Sequence, residues 1–120
     1  MTFEIRLGCP HMLSFWNDLN DKIADKTASK EEIKLHKKLT KTFRLLSQDP
    51  KYNGLHSHEI DELSRRLGMK VWESYLENNK PAAGRIFWVY YPPGSITIIG
   101  LEPHPNDNKH SYEKITLSAS

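Results

Sequence analysis

The sequence has little that could cross-link the chain or anchor it in a membrane. Its 120 residues include one cysteine, Cys9, so no disulfide can form within the chain, which is typical of a reducing compartment. No apolar run approaches the roughly 20 residues that a membrane helix needs. The first residues, MTFEIRLG, lack the apolar core of a signal peptide. We therefore expect a cytoplasmic protein with no membrane partner.

The chain also has little excess charge of either sign. It carries 17 lysines and arginines against 15 acidic residues, a formal net charge of +2. This balance permits a nucleic-acid partner without requiring one. At 120 residues we expect one domain over residues 1–120, and the 38% of apolar and 27% of charged residues are ordinary for a globular protein.

Residues 84–104, GRIFWVYYPPGSITIIGLEPH, predict a β-hairpin. Two runs dense in β-branched and aromatic residues flank the sequence Pro-Pro-Gly. Pro93 suits the first central position of a type II turn, and Gly94 tolerates the positive φ of the second. The predicted strands cover residues 85–91 and 95–101.

This hairpin should bring two chemically useful side chains to one end of the sheet. Arg85 begins the first strand, so in an antiparallel pair it lies near the end of the second. Pro103 and Pro105 cannot donate to a sheet ladder, so they end that strand and hold His104 in an extended segment. A permanent cation and a titratable imidazole are therefore expected together.

Hydrophobic periodicity predicts a strand and two helices before the hairpin. The first residues alternate apolar and polar, the period of a half-buried strand. Pro10 suits the first turn of an amphipathic helix, and Ser29 with Glu32 forms a capping-box pattern before a second apolar stripe. The predicted elements are a strand at residues 2–7 and helices at about residues 10–26 and 29–49.

The segment between these helices and the hairpin is less regular. Apolar residues at helical spacing predict a short helix, with Ser57 as its N-cap and Gly68 as its stop. Residues 70–76, KVWESYL, predict a strand that leads through a loop into the hairpin. The polar residues 105–120 predict at most one helical turn or a short edge strand.

The order of elements defines a fold class. Consecutive strands joined by short links pair antiparallel. The two long helices, joined by a short polar loop, form a helical hairpin, which is the only element able to cover a sheet face. We predict a two-layer α+β domain. Strand, helix and helix are followed by a three-stranded antiparallel meander, and the helical hairpin packs on one face of the sheet.

The second helix carries many cations, several of them spaced to share a face. They are Lys30, Lys34, Lys37, Lys38, Lys41 and Arg44. Such a row is either a solvated face that keeps the protein soluble or a ridge that contacts phosphates. The spacing does not decide between the two.

Several short motifs occur in the same order as the predicted elements. They are LHSH at residues 55–58, VWE at 71–73, GRIFWVY at 84–90, and LEPHP at 101–105 with Tyr112 beyond. Together with the strand-helix-helix start, they resemble the RelE/ParE superfamily of type II toxins over nearly the whole chain. The resemblance implies a RelE-like fold.

The resemblance also implies an endoribonuclease that cuts messenger RNA, usually on the ribosome, and needs no cofactor. An antitoxin protein is expected to bind the enzyme and hold it inactive. The 2′-hydroxyl attacks the adjacent phosphate. By position, Arg85 corresponds to a phosphate-binding arginine, His104 to a residue that stabilises the phosphorane or protonates the leaving oxygen, and Tyr112 to a tyrosine of some members. Where compact members carry lysines, this chain has Glu73 and Tyr75, which are two residues apart and so lie on the same face of the predicted strand. A carboxylate or histidine pair is then expected to do the acid–base work.

The proposed chemistry needs a base, a cation on the phosphorane and an acid, and histidine and arginine supply these groups at neutral pH. The candidate catalytic residues are Arg85, His104, His58, Glu73 and Tyr112. The candidate RNA-binding residues are His56, Lys70, Lys109, Lys37 and Lys41. No metal is expected, because no set of ligands has a recognisable spacing.

Each candidate also has a structural alternative. Arg85 can simply pair with Glu73 or Glu102 across the sheet, and His104 can be an exposed turn residue. The histidines of the LHSH motif can be loop residues without a site. Two functional alternatives stand beside the nuclease: a non-enzymatic ParE-like toxin that binds DNA gyrase, and a protein-interaction module of the same fold.

Overall fold

Five strands and three α-helices form in residues 2–8, 10–77 and 84–102, which the computed structural model describes apart from the side chains of His11 and Glu102. The strands are β1 (Glu4–Leu7), β2 (His58–Glu59), β3 (Trp72–Tyr75), β4 (Arg85–Tyr90) and β5 (Ser95–Glu102). The helices are α1 (Pro10–Ala24), α2 (Lys30–Gln48) and α3 (Asp61–Leu67), with a 3₁₀ turn at Asn53–Leu55. The predicted α+β class is confirmed. The predictions for Cys9, His104, Lys109 and Tyr112 lie outside the described residues.

The strands form one mixed sheet in the order β1-β5-β4-β3-β2. The predicted antiparallel meander is β3-β4-β5, in which Arg85 lies opposite Glu102 as expected. The sequence did not place β1, which pairs parallel with β5. Backbone bonds from Phe3 N–H to the Ser47 carbonyl and from Glu4 N–H to the Gly94 carbonyl hold it there.

Both local signals that the sequence gives most clearly are confirmed. The N–H of Ser95 donates to the carbonyl of Pro92 at 2.9 Å, and Gly94 has φ 81°, so the hairpin turn has its glycine where a positive φ is required. At the start of α2, the Ser29 hydroxyl accepts from Glu32 N–H and the Glu32 carboxylate accepts from Ser29 N–H.

Strand alternation and register divide the sheet into two faces. Leu101 lies opposite Ile86, and it borders a cavity together with Leu35 and Lys38 of α2. We call this side, which α2 covers, the α2 face. Because side chains alternate along a strand, Glu73, Tyr75, Arg85 and Phe87 lie on the other side, the opposite face.

The segment before α3 departs from its prediction. Ser57 is not the N-cap of a helix, because its hydroxyl contacts the Pro50 carbonyl and the Ser74 hydroxyl. The chain instead forms β2, which pairs antiparallel with β3, and α3 begins only at Asp61. The predicted stop is confirmed, since Gly68 adopts φ 75° at the end of α3.

Candidate functional site

A buried carboxylate on the opposite face organises the candidate site. Glu73 is 4% exposed. Its Oε1 lies 3.1 Å from Nε2 of His58, and its Oε2 lies 3.4 Å from Nη1 of Arg85. A carboxylate that leaves water is stable only when paired. Here each oxygen has its own nitrogen partner.

The sheet register produces this arrangement. His58 of β2 lies directly opposite Glu73 of β3. Arg85 of β4 lies opposite Tyr75, so it is the diagonal neighbour of Glu73, within reach of a long side chain. We call Glu73, Arg85 and His58 the carboxylate cluster. Glu73 and Arg85 were predicted to lie on strands. His58 was predicted to come before the sheet, whereas the structure has it in β2, a strand of the sheet.

The ring of His58 faces an acceptor on each side. Its Nδ1 lies 2.9 Å from the carbonyl oxygen of His56, and its Nε2 faces the Glu73 carboxylate. Both partners can accept a hydrogen bond from the ring. The His58 side chain is 47% exposed, so solvent and ligands can reach it.

Tyr75 orients the two histidines of the LHSH motif. Its ring stacks on His56 at a centroid distance of 5.5 Å and meets His58 edge-on at 6.0 Å. His56 adopts φ 49°, a left-handed conformation that is uncommon outside glycine, and it turns the chain from the 3₁₀ turn towards β2. The sequence suggested only that Tyr75 shares a strand face with Glu73.

Two linked hydroxyl groups, of buried Ser74 and partly buried Ser57, fix the segment that carries these histidines. Trp88 Nε1–H donates to Ser74 Oγ at 2.8 Å, and Ser57 Oγ–H donates to the Pro50 carbonyl at 2.7 Å. The 2.7 Å contact between the two hydroxyls must then run from Ser74 to Ser57, because the Ser57 proton is already used. This series of hydrogen bonds connects the start of β2 to β3 and β4 and to the end of α2. Sequence reasoning missed it.

The other predicted residues do not join the carboxylate cluster. Lys37 and Lys41 are exposed on α2, and Lys70 is exposed just before β3. His104, Lys109 and Tyr112 lie outside the described residues, so the predicted approach of His104 to Arg85 stays a prediction. The alternative in which Arg85 pairs with Glu73 describes a contact that the structure contains.

The carboxylate cluster joins a guanidinium, an imidazole and a carboxylate at a partly open surface. Such a set can bind an anion and move a proton. Among the described residues, no group of three or more His, Cys, Asp or Glu side chains could hold a metal ion. None of the helices in the described ranges is long and apolar enough to cross a membrane.

Comparison with known proteins gives no match. No family model, no curated protein and no solved structure matches the chain. Function is therefore inferred from the residues and contacts of the carboxylate cluster.

Proposed function

We propose that this protein is a toxin endoribonuclease of the RelE type, which cleaves messenger RNA on the ribosome without a metal and is neutralised by an antitoxin. The observation that carries the proposal is the buried Glu73 carboxylate between Arg85 and the half-exposed His58. Two further features support it. The meander follows a strand-helix-helix start, and the cluster lies on the sheet face opposite to the one that α2 covers.

In the proposed reaction the 2′-oxygen of a ribose forms a bond to the adjacent phosphorus, and the bond from phosphorus to the 5′-oxygen breaks. The products are a 2′,3′-cyclic phosphate and a 5′-hydroxyl. Arg85 binds the non-bridging phosphoryl oxygens, whose negative charge grows in the transition state. A base must take the 2′-hydroxyl proton, and an acid must protonate the 5′-oxygen.

His58 is the proposed acid, acting through Nδ1. Glu73 faces Nε2, while Nδ1 contacts, within the described residues, only the carbonyl of His56, two residues earlier in the chain. An RNA oxygen can replace that carbonyl without disturbing the contact with Glu73. One ring nitrogen is then held by a carboxylate while the other transfers a proton, as in a catalytic triad.

Glu73 acts as a positioning residue in this scheme. At 4% exposure its oxygens have little access to RNA, and both already contact a neighbour. It fixes the direction of the Arg85 guanidinium and of the His58 ring. His104 and Tyr112 stay predicted partners of these groups, and the role predicted for His104 is to stabilise the phosphorane or protonate the leaving oxygen.

The test is primer extension on messenger RNA after incubation with purified protein and programmed ribosomes, in the presence of a metal chelator. We expect fragments that end in a cyclic phosphate. His58→Ala should cleave roughly 100- to 10,000-fold more slowly, the usual effect of removing a positioned acid or base. The matched control is His36→Ala, because His36 is also partly buried and bonds Asn20 in the helical layer. It should cleave at the wild-type rate.

Three outcomes would contradict the nuclease. They are no cleavage by the wild type with ribosomes or with free RNA, full activity of His58→Ala, and equal losses in both histidine variants. If the protein halts growth without cleaving RNA, a gyrase supercoiling assay tests the ParE-like alternative.

A further inference from the structure

A cavity of about 460 Å³ opens between α2, the 3₁₀ turn at Asn53–Leu55 and the end of β3. Its volume falls within the range of small-molecule sites. One wall is aliphatic and includes Leu45, Leu55 and Leu76. The cavity thus offers apolar surface to a ligand at an edge of the sheet.

An exposed aromatic ring stands beside this wall. Tyr52 borders the cavity and is 49% exposed. Its ring lies against Gly54, where a Cβ atom would come within 2.7 Å of the ring carbon Cε2. Gly54 therefore allows the ring to approach the backbone. A planar ring that is both held and exposed can stack on another planar group.

Two lysines of α2 form the rim of the cavity. Lys38 is paired with Glu77 at 2.6 Å. The ammonium group of Lys41 is exposed and makes no ion pair or hydrogen bond with any residue in the part of the chain that the structure describes. A cation is thus available to an anionic ligand within the same cavity.

One side chain connects the cavity to the carboxylate cluster. Tyr75 lines the cavity, and its ring contacts those of His56 and His58 at 5.5 Å and 6.0 Å. A ligand in the cavity is therefore separated from His58 by a single tyrosine. For a polymeric substrate, this spacing suits a unit next to the one that reacts.

We propose that this cavity binds one nucleotide of an RNA substrate, with its base stacked on Tyr52 and its phosphate at Lys41. The assignment of this nucleotide as a neighbour of the cleaved linkage rests on the proposed nuclease function. Its binding does not, because the aromatic ring, the apolar wall and the cation recognise a nucleotide whether or not cleavage follows.

The experiment measures binding of adenosine 5′-monophosphate by calorimetry and by amide chemical shifts, with adenosine and inorganic phosphate as separate probes. We expect saturable binding of the nucleotide, with shifts at the cavity. Tyr52→Ala should weaken it about 5- to 100-fold, the loss expected when base stacking on an aromatic ring is removed. Tyr91→Ala removes a tyrosine of similar exposure (54%) at the hairpin turn and should leave binding unchanged.

A second pair of variants tests the phosphate contact. Lys41→Ala should weaken nucleotide binding, lower its dependence on salt and leave adenosine binding unchanged. Lys30→Ala, at the exposed start of the same helix, should change none of these. Gly54→Ala keeps the tyrosine but displaces its ring, so it should also weaken nucleotide binding.

The proposal is overturned if the nucleotide does not bind saturably at millimolar concentration, if phosphate alone binds equally well, or if Tyr52→Ala binds as the wild type does. The two proposals fail separately. If the wild type binds the nucleotide but cleaves no RNA, nucleotide binding in the cavity is supported and the nuclease function is contradicted. If the wild type is active and Tyr52→Ala has an unchanged KM for RNA, the nuclease proposal stands, but the nucleotide in the cavity is not a neighbour of the cleaved linkage.

Discussion

Two cation–carboxylate pairs of this protein differ in length and in their contact with water. Lys38 Nζ lies 2.6 Å from Glu77, whereas Arg85 Nη1 lies 3.4 Å from Glu73. Both side chains of the shorter pair are 32% exposed, while the Glu73 side chain is 5% exposed. Water screens the first pair and largely fails to reach the second carboxylate, so the longer contact should matter more for folding. Burial rather than distance distinguishes a surface ion pair from one that organises a site.

The largest effect on stability is expected from the removal of Arg85, and removal of Lys38 is the matched comparison. Arg85→Met leaves the Glu73 carboxylate buried with His58 as its partner, and should destabilise the protein by about 3 kcal/mol, near the lower end for a broken buried pair. Lys38→Met breaks the shorter but exposed pair and should cost less than about 1 kcal/mol. Urea unfolding at neutral pH measures both. Equal losses would contradict the burial argument.

Hydrogen-bonding groups that carry no charge extend the comparison. Ser74→Ala leaves the indole N–H of Trp88 and the hydroxyl of Ser57 without their shared partner, so we expect a loss of about 2 kcal/mol. Ser47→Ala removes one hydroxyl that donates to the Phe3 carbonyl at 2.8 Å and should cost about 1 kcal/mol. Urea unfolding again gives both values. A smaller loss for Ser74→Ala than for Ser47→Ala would count against this directed series of hydrogen bonds.

Local sequence signals predicted the parts of the fold that depend on neighbouring residues. The capping box of α2 and the Pro-Pro-Gly turn involve residues only a few positions apart, and both are present. The pairing of β1 with β5 joins segments about 90 residues apart and has no local signal. For the same reason Ser57 was predicted as a helix cap, although distant partners at Pro50 and Ser74 occupy its hydroxyl.

The candidate site was only partly predictable. Alternation placed Glu73 and Tyr75 on one face, and the cross-strand pair of Arg85 with Glu73 was one of the alternatives considered. The contact with His58 depends on β2, a strand of two residues that is too short to show a period. The cavity beside Tyr52 depends on the meeting of three separate segments and has no signal in the sequence.

Exposed cations of α2 should affect RNA binding more than stability. Lys37 is exposed like most of its row on that helix, so Lys37→Ala should leave unfolding unchanged. If the row contacts phosphates, Lys37→Ala should weaken RNA binding about twofold. It should also lower the slope of log affinity against log salt concentration by about 0.7, the value for one phosphate contact with a single strand. Fluorescence anisotropy against salt concentration measures this. Arg65→Ala on α3 is the control, and an equal change there would indicate only general charge attraction.

The smallest effect concerns an exposed pair that joins the two long helices. Glu32 accepts from Ser29 N–H at 2.9 Å and lies 3.0 Å from Lys22 Nζ. The hydrogen bond from Ser29 N–H, and after it the bond from Lys22, hold the pKa of Glu32 below its ordinary value of 4.5. The hydrogen bond between Lys22 and Glu32 in turn raises the pKa of Lys22. A carboxylate whose pKa is lower in the folded state stabilises the protein above the unfolded value, and this contribution is lost as pH falls through the folded value.

Glu32→Gln should therefore lower the free energy of unfolding slightly at pH 7, and the difference from the wild type should shrink as the pH falls below 4.5. Glutamine keeps an oxygen that can accept from Ser29 N–H, so the variant removes mainly the charge. Urea unfolding at several pH values measures the difference, with Glu31→Gln as the exposed control on the same helical turn. A difference that stayed constant from pH 7 to pH 3 could not come from this carboxylate. Solvent screening would then have removed the effect of its charge altogether, which would sharpen the contrast with the buried Glu73.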